Sequence, residues 1–119
     1  MVGLLDEHAG WLEARGLDVE VAVRLGVRSH VYRSQSVIAF PYLSGERELY
    51  AKVRFTDQKK MRCDPEGVAQ TRLWNQDALL ENPGPREELI ITEGEPDAIA
   101  VAQIGKRFVV SRSRRTTRR

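Results

Sequence analysis

Three acidic residues packed into five positions are the most chemically suggestive feature of this chain: Glu93, Glu95 and Asp97, separated by Gly94 and Pro96. They follow a short β-branched run, Leu89-Ile90-Ile91, that leaves a Pro-Gly-Pro loop. That run predicts a buried strand over 88–92. Pro96 suits a first helical turn, where its missing N–H costs nothing, and Ala98 to Ile104 carry a helix over 96–104 until Gly105 stops it. Glu93 therefore falls where a strand hands over to a helix, at the carboxyl edge of a sheet, where open α/β folds place their ligands. A carboxylate directly behind an apolar strand must be exposed, paired or metal-bound, because burying it alone is too costly. Gly94, having no side chain, lets a phosphate or metal approach closely. Glu95 and Asp97 carry two readings. Acids in a first turn gain ~0.3–1 kcal/mol from the helix dipole, and the same acids are placed to help orient a metal-bound water.

A second group is basic. Glu48 to Phe55 alternates, with Leu49, Ala51, Val53 and Phe55 on one face and Tyr50, Lys52 and Arg54 on the other, which predicts a strand. Val37 to Leu43 supplies its hairpin partner across a Ser-Gly-Glu turn, giving a hairpin within 36–55. Pro41 predicts that the first strand lies at an edge or ends there. Met61-Arg62-Cys63 suggests a further short strand. Tyr50, Lys52 and Arg54, with Lys59, Lys60 and Arg62, fit a phosphate-contacting face. A solvated strand face beside a charged loop is the competing reading.

The segment Glu93-Gly94-Glu95-Pro96-Asp97, behind a hydrophobic strand, resembles the first motif of TOPRIM domains, Glu-Gly-x-x-Asp. The similarity is strongest to phage- and plasmid-type DNA primases of the primase–helicase kind. Phe40-Pro41-Tyr42 and Lys52-Val53-Arg54 match their preceding hairpin, and Leu73-Trp74-Asn75 with Asp77-Ala78-Leu79 matches their link into the TOPRIM strand. Leu12 to Leu17 with Leu25-Gly26-Val27 is similar to the segment before their core. The resemblance covers most of residues 11–111. It implies a metal and acid–base role for Glu93, metal binding shared by Asp97, and phosphate or nucleic-acid contacts by Lys52, Arg54, Lys60 and Gly94. It also implies Mg²⁺ as cofactor, single-stranded DNA and ribonucleotides as partners, and a helicase domain or protein as a further partner.

Around these groups the sequence predicts an α/β chain. Residues 1–28 read as a helical hairpin, with helices near 4–15 and 19–25 and Asp18 capping the second. Residues 29–87 form a hairpin subdomain, 88–111 a partial TOPRIM βαβ unit with parallel strands, and 112–119 a disordered arginine-rich tail. Five arginines in the last eight residues dominate the charge: without them the net charge of +2 becomes −3. The high isoelectric point is thus a property of the tail. Cys63 is the only cysteine, which excludes an internal disulfide and a cysteine-rich zinc ribbon. No apolar run approaches the ~20 residues of a membrane span, and no basic stretch precedes a long apolar core as in a signal peptide. A cytoplasmic setting is expected.

One departure from the resemblance matters. Complete TOPRIM domains continue to an Asp-x-Asp motif that completes the metal site, and no aspartate follows Asp97. The expectation is a truncated product that holds Mg²⁺ weakly and is inactive alone. Alternatives are a non-catalytic nucleic-acid-binding or regulatory fragment, working through Lys52, Arg54, Lys60 and the tail, or another TOPRIM enzyme such as a nuclease or topoisomerase.

Overall fold

A computed structural model of the chain describes residues 3–81 and 87–112. The tail expected to be disordered lies, apart from Arg112, outside the described residues. Two helices come first, α1 (Asp6–Glu13) and α2 (Val19–Arg24). Asp18 caps α2 as its sequence position implies, its Oδ1 accepting from the Glu20 and Val21 amides at 2.9 and 3.3 Å. After α2 the chain turns through Gly26 with φ of +98°, and a Cβ there would stand 3.2 Å from the Pro41 ring. Glycine serves both demands, left-handed backbone and close approach.

An antiparallel four-stranded sheet follows in simple order: β1 (Arg28–Tyr32), β2 (Gln35–Ser44), β3 (Arg47–Phe55) and β4 (Lys60–Asp64). The hairpin within 36–55 is β2–β3, with Phe40 opposite Lys52 and a register shift at Tyr42/Leu43. Strand β1 has no counterpart among the expected elements. Its turn into β2 runs through Arg33 and Ser34 with φ of 50° and 66°, a mirror-image turn made without the Asn-Gly pair that normally announces one. Pro41 does not lie on an edge strand, since β2 sits between β1 and β3. Yet β1 pairs with β2 only as far as Arg28↔Ala39, so Pro41 lies beyond the end of that ladder, where β1 asks for no N–H donor.

The second unit is a parallel pair, β5 (Ile90–Thr92) and β6 (Val109–Ser111), joined by α3 (Glu95–Gln103). Parallel pairing with an intervening helix is what the strand–acid–helix–strand pattern predicts. The far edge of β6 is not bare: the Trp74 amide donates to Ser111 O at 2.8 Å and the Ser111 amide returns to Trp74 O at 3.0 Å. Among the described residues no strand pairs with the other edge of β5, where Leu89 and Ile91 are exposed. Together the molecule is mixed α/β, a meander beside a short parallel unit.

One core spans both. Leu12, Val21 and Ala22 of the helices meet Ile38, Phe40 and Tyr42 of β2 and Ala98, Ile99 and Val109 of the βαβ unit. Each fully buried Leu, Ile or Phe contributes ~1.5–3 kcal/mol of transfer free energy. Phe40 meets the fully buried Trp74 edge-to-face at 5.8 Å. The opposite sheet face has its own small core of Tyr32, Val37, Ala39, Ala51, Val53 and Phe55. Gln103 clasps the ends of the chain together, accepting from the Asp18 amide at 2.8 Å and donating to Gly16 O at 2.9 Å. No helix among the described residues is long and apolar enough to cross a membrane.

Candidate functional site

Strand β5 ends at Thr92, and the next two residues carry the turn into α3. Thr92 Oγ1 donates to Gly94 O at 3.0 Å, which fixes the turn, and the Ala98 amide then closes the first helical bond to the same carbonyl at 3.2 Å. Glu93 is exposed at this turn, and so is Asp97 one helical turn further on. A side chain at Gly94 would lie 3.7 Å from Asp97 Oδ2, so the Asp97 carboxylate folds back over the glycine. Glu93, Gly94 and Asp97 thus form one solvent-facing corner at the carboxyl end of the parallel strands.

Glu95 goes the other way. It is buried, and its carboxylate accepts from the Tyr42 hydroxyl of β2 at 2.8 Å. Burial pushes its carboxyl up, while the Tyr42 hydrogen bond and the nearby Lys52 charge pull it back. Lys52 of β3 is itself almost wholly buried; desolvation draws its ammonium down, opposed by Glu95 and Cys63. Tyr50 stacks on Tyr42 with ring centroids 4.6 Å apart, closing the space around the pair. A buried acid, base and hydroxyl therefore bind the start of α3 to the sheet. Sequence reasoning gave Glu95 a dipole or water-orienting role and did not connect it to Tyr42 or Lys52. The signal was present only as a Tyr and a Lys on facing strands, with nothing local to link them to an acid 53 residues from Tyr42.

The three basic residues singled out in the sequence occupy three settings. Lys52 is in the core beside Glu95. Arg54, half-buried, lies 5.4 Å from the Trp11 ring of α1. Lys60 sits on the opposite sheet face, its ammonium 5.0 Å over the Phe55 ring. Tyr50, Lys52 and Arg54 do share a face, but it is the face that the helices and the βαβ unit cover. The other sheet face carries a polar network that spacing did not reveal. His30 Nε2 meets Asp64 Oδ2 at 2.8 Å, bringing the two edge strands together, and Arg28 joins His30 Nδ1 at 3.1 Å and Glu48 at 2.7 Å.

Similarity to solved structures follows the same lines. The primase fragment of the bacteriophage T7 primase–helicase protein matches 83% of this chain at 26% identity with a TM-score of 0.64. The chain is built like that phage primase fragment. This primase-like core also matches, over 83% of its length, a bacteriophage T7 structure at 26% identity and a TM-score of 0.62. In it the lagging-strand DNA polymerase interacts with primase domains of two subunits bound to an RNA/DNA hybrid and dTTP. The DnaG primase catalytic domain bound to ssDNA matches 94% of the chain at 20% identity and a TM-score of 0.67, a likeness of fold. The primase-like core spans less than half of each of these, 40%, 43% and 47% of their lengths. No protein-family model and no curated protein matches the chain.

Whether the corner suits a divalent ion is decided by its donors. Among the described residues no three His, Cys, Asp or Glu side chains gather. Mg²⁺ is commonly held by one or two carboxylates together with substrate phosphates and waters. Two exposed hard oxygen ligands flanking a glycine fit that description as one wall of a site; Glu95, turned inward, does not.

Proposed function

We propose that this chain carries the N-terminal core and first TOPRIM half of a DNA primase, an enzyme that joins ribonucleotides into RNA primers on single-stranded DNA. The observation that carries the reading is Glu93, exposed at the end of a parallel strand and beside Gly94, within a chain built like the T7 primase fragment. Glu93 and Asp97 would hold Mg²⁺, which when bound neutralises charge on nucleotide phosphates. Glu93 stands exposed at the open corner, Gly94 leaves room there for nucleotide phosphates, and the buried Glu95–Tyr42–Lys52 cluster keeps the corner in place. In this reading the remaining carboxylates would come from an Asp-x-Asp segment of the kind with which complete TOPRIM domains continue. A helicase, as domain or separate protein, is the partner that fits such a primase.

The test joins the chain to a segment bearing a further strand and Asp-x-Asp and measures primer synthesis on single-stranded DNA with ribonucleotides and Mg²⁺. Synthesis should appear. Glu93→Gln, which keeps size but loses charge and basicity, should lower it by 100-fold or more, on the order of the acid–base contribution, with the fold unchanged by circular dichroism. An active Glu93→Gln protein would refute the assignment.

A further inference from the structure

The arginine tail is the one charged feature of the sequence to which the primase reading gives no task. It carries five positive charges, against a net charge of −3 for the rest of the chain. Its point of departure is fixed by the fold. Strands β5 and β6 run parallel with Thr92 opposite Ser111, so Glu93 and Arg112 are the next residues at the carboxyl ends of the pair. The Arg112 amide donates to Thr92 O at 2.8 Å, the carbonyl of the same peptide group whose nitrogen belongs to Glu93. Arg112 is exposed, as are Glu93 and Asp97. Among the described residues neither acid forms an ion pair, so a cation arriving at the corner has no partner to displace. The N-terminus of α3 opposes a cation there with about half a positive charge, which two carboxylates outweigh. Arg114 and Arg115 stand two and three residues beyond Arg112, at most ~7–11 Å of extended chain.

We infer that the tail, residues 113–119, docks in the Glu93–Gly94–Asp97 corner, its guanidiniums pairing with the two carboxylates. A single exposed ion pair is weak, and two features strengthen this one. A guanidinium takes a carboxylate through two parallel hydrogen bonds, charge-assisted on both sides. The covalent link also presents several arginines to the corner at an effective concentration on the order of millimolar. A tail docked in this way competes with a divalent ion for the same oxygens, which makes it an autoinhibitory contact. That consequence rests on the primase reading, which gives Glu93 and Asp97 to Mg²⁺; the contact itself does not. Salt screens the pairing and frees the corner.

The test compares the full chain with one carrying Arg114→Gln, Arg115→Gln, Arg118→Gln and Arg119→Gln, Arg112 being kept because its backbone ends the sheet. Without metal and at low salt, the four substitutions should move the amide signals of Glu93, Gly94 and Asp97. Raising NaCl to about 0.5 M should bring the two sets of signals together. Titrated with Mg²⁺ and read at the same amides, the substituted chain should bind the ion about fivefold more tightly, because its corner is no longer occupied for part of the time. Glu93→Gln with Asp97→Asn, both at exposed positions, should return the arginine Nε–H signals of the tail to those of a free peptide of residues 112–119. Corner amides indifferent to the four substitutions, or equal and measurable Mg²⁺ affinity in the two chains, would overturn the inference. Tail signals that shift with oligo(dT) while the corner amides ignore the substitutions would also overturn it, making the tail an arm for nucleic acid. If the substituted chain binds no Mg²⁺ while its corner amides still report the loss of the tail, the docking stands and the metal role of the corner fails, so the two readings fail separately.

Discussion

Glu93 and Glu95 stand two positions apart and have opposite surroundings, water for the first and the core for the second. That difference arises at the first turn of α3, where successive side chains point to different sides of the helix. The sequence made Glu93 legible because a strand, an acid and a glycine in succession leave few alternatives. It hid Glu95 because the helix dipole already explained an acid in that turn. The inward cluster has a testable energetic signature. Tyr42→Phe removes a hydrogen bond to a buried carboxylate and should cost about 1–3 kcal/mol in urea denaturation. Lys52→Met leaves Glu95 without its positive neighbour and should cost more, about 3–5 kcal/mol. Replacing both charges, Lys52→Met with Glu95→Leu, should recover most of that loss, because an apolar pair has no charge to desolvate. A double variant as unstable as the single one would show that packing, not charge, holds α3 to the sheet.

At the scale of elements, α2, the β2–β3 hairpin and the β5–α3–β6 unit were legible from caps, alternation and the change of period. Strand β1 was not. Ser29, His30 and Val31 lack a clear alternation, and the Arg33–Ser34 turn has no glycine. Ser34→Gly should relieve a left-handed non-glycine residue and stabilise the hairpin by about 1 kcal/mol, seen as a higher urea midpoint at constant slope. The contact of α1 with β1 sets a pH dependence. His8 is buried, with its Nδ1 2.6 Å from Ser29 Oγ, and desolvation lowers its pKa despite the opposing Glu7 charge. The unfolded chain then takes up the proton more readily than the folded one. Stability should be complete above the unfolded value of about 6.5 and should fall as pH drops below it. In His8→Gln that part of the slope should vanish. An identical pH profile in wild type and variant would place the acid sensitivity elsewhere.

For the whole molecule, charge and composition excluded a disulfide framework and marked the tail, and the α/β class was legible from the order of periodic segments. What composition could not convey was how far apart the stabilising partners lie. The sheet β1–β4 is a meander, each strand paired with its sequence neighbour. The βαβ unit is fastened by Trp74 to Ser111, by Tyr42 to Glu95, and by Gln103 to Gly16 and Asp18 across 87 and 85 residues. Those separations impose an order in time. Loops must close before distant contacts can form, and closure costs grow with length, so the meander should assemble first and α3 should dock last. Pulse-labelled hydrogen exchange should find β2 and β3 amides protected before those of α3. At equilibrium the clasp makes one glutamine side chain a latch on partial unfolding: in Gln103→Ala, α3 amides should exchange faster while β2 and β3 amides keep their rates, so that the half bearing Glu93 opens while the meander stays closed.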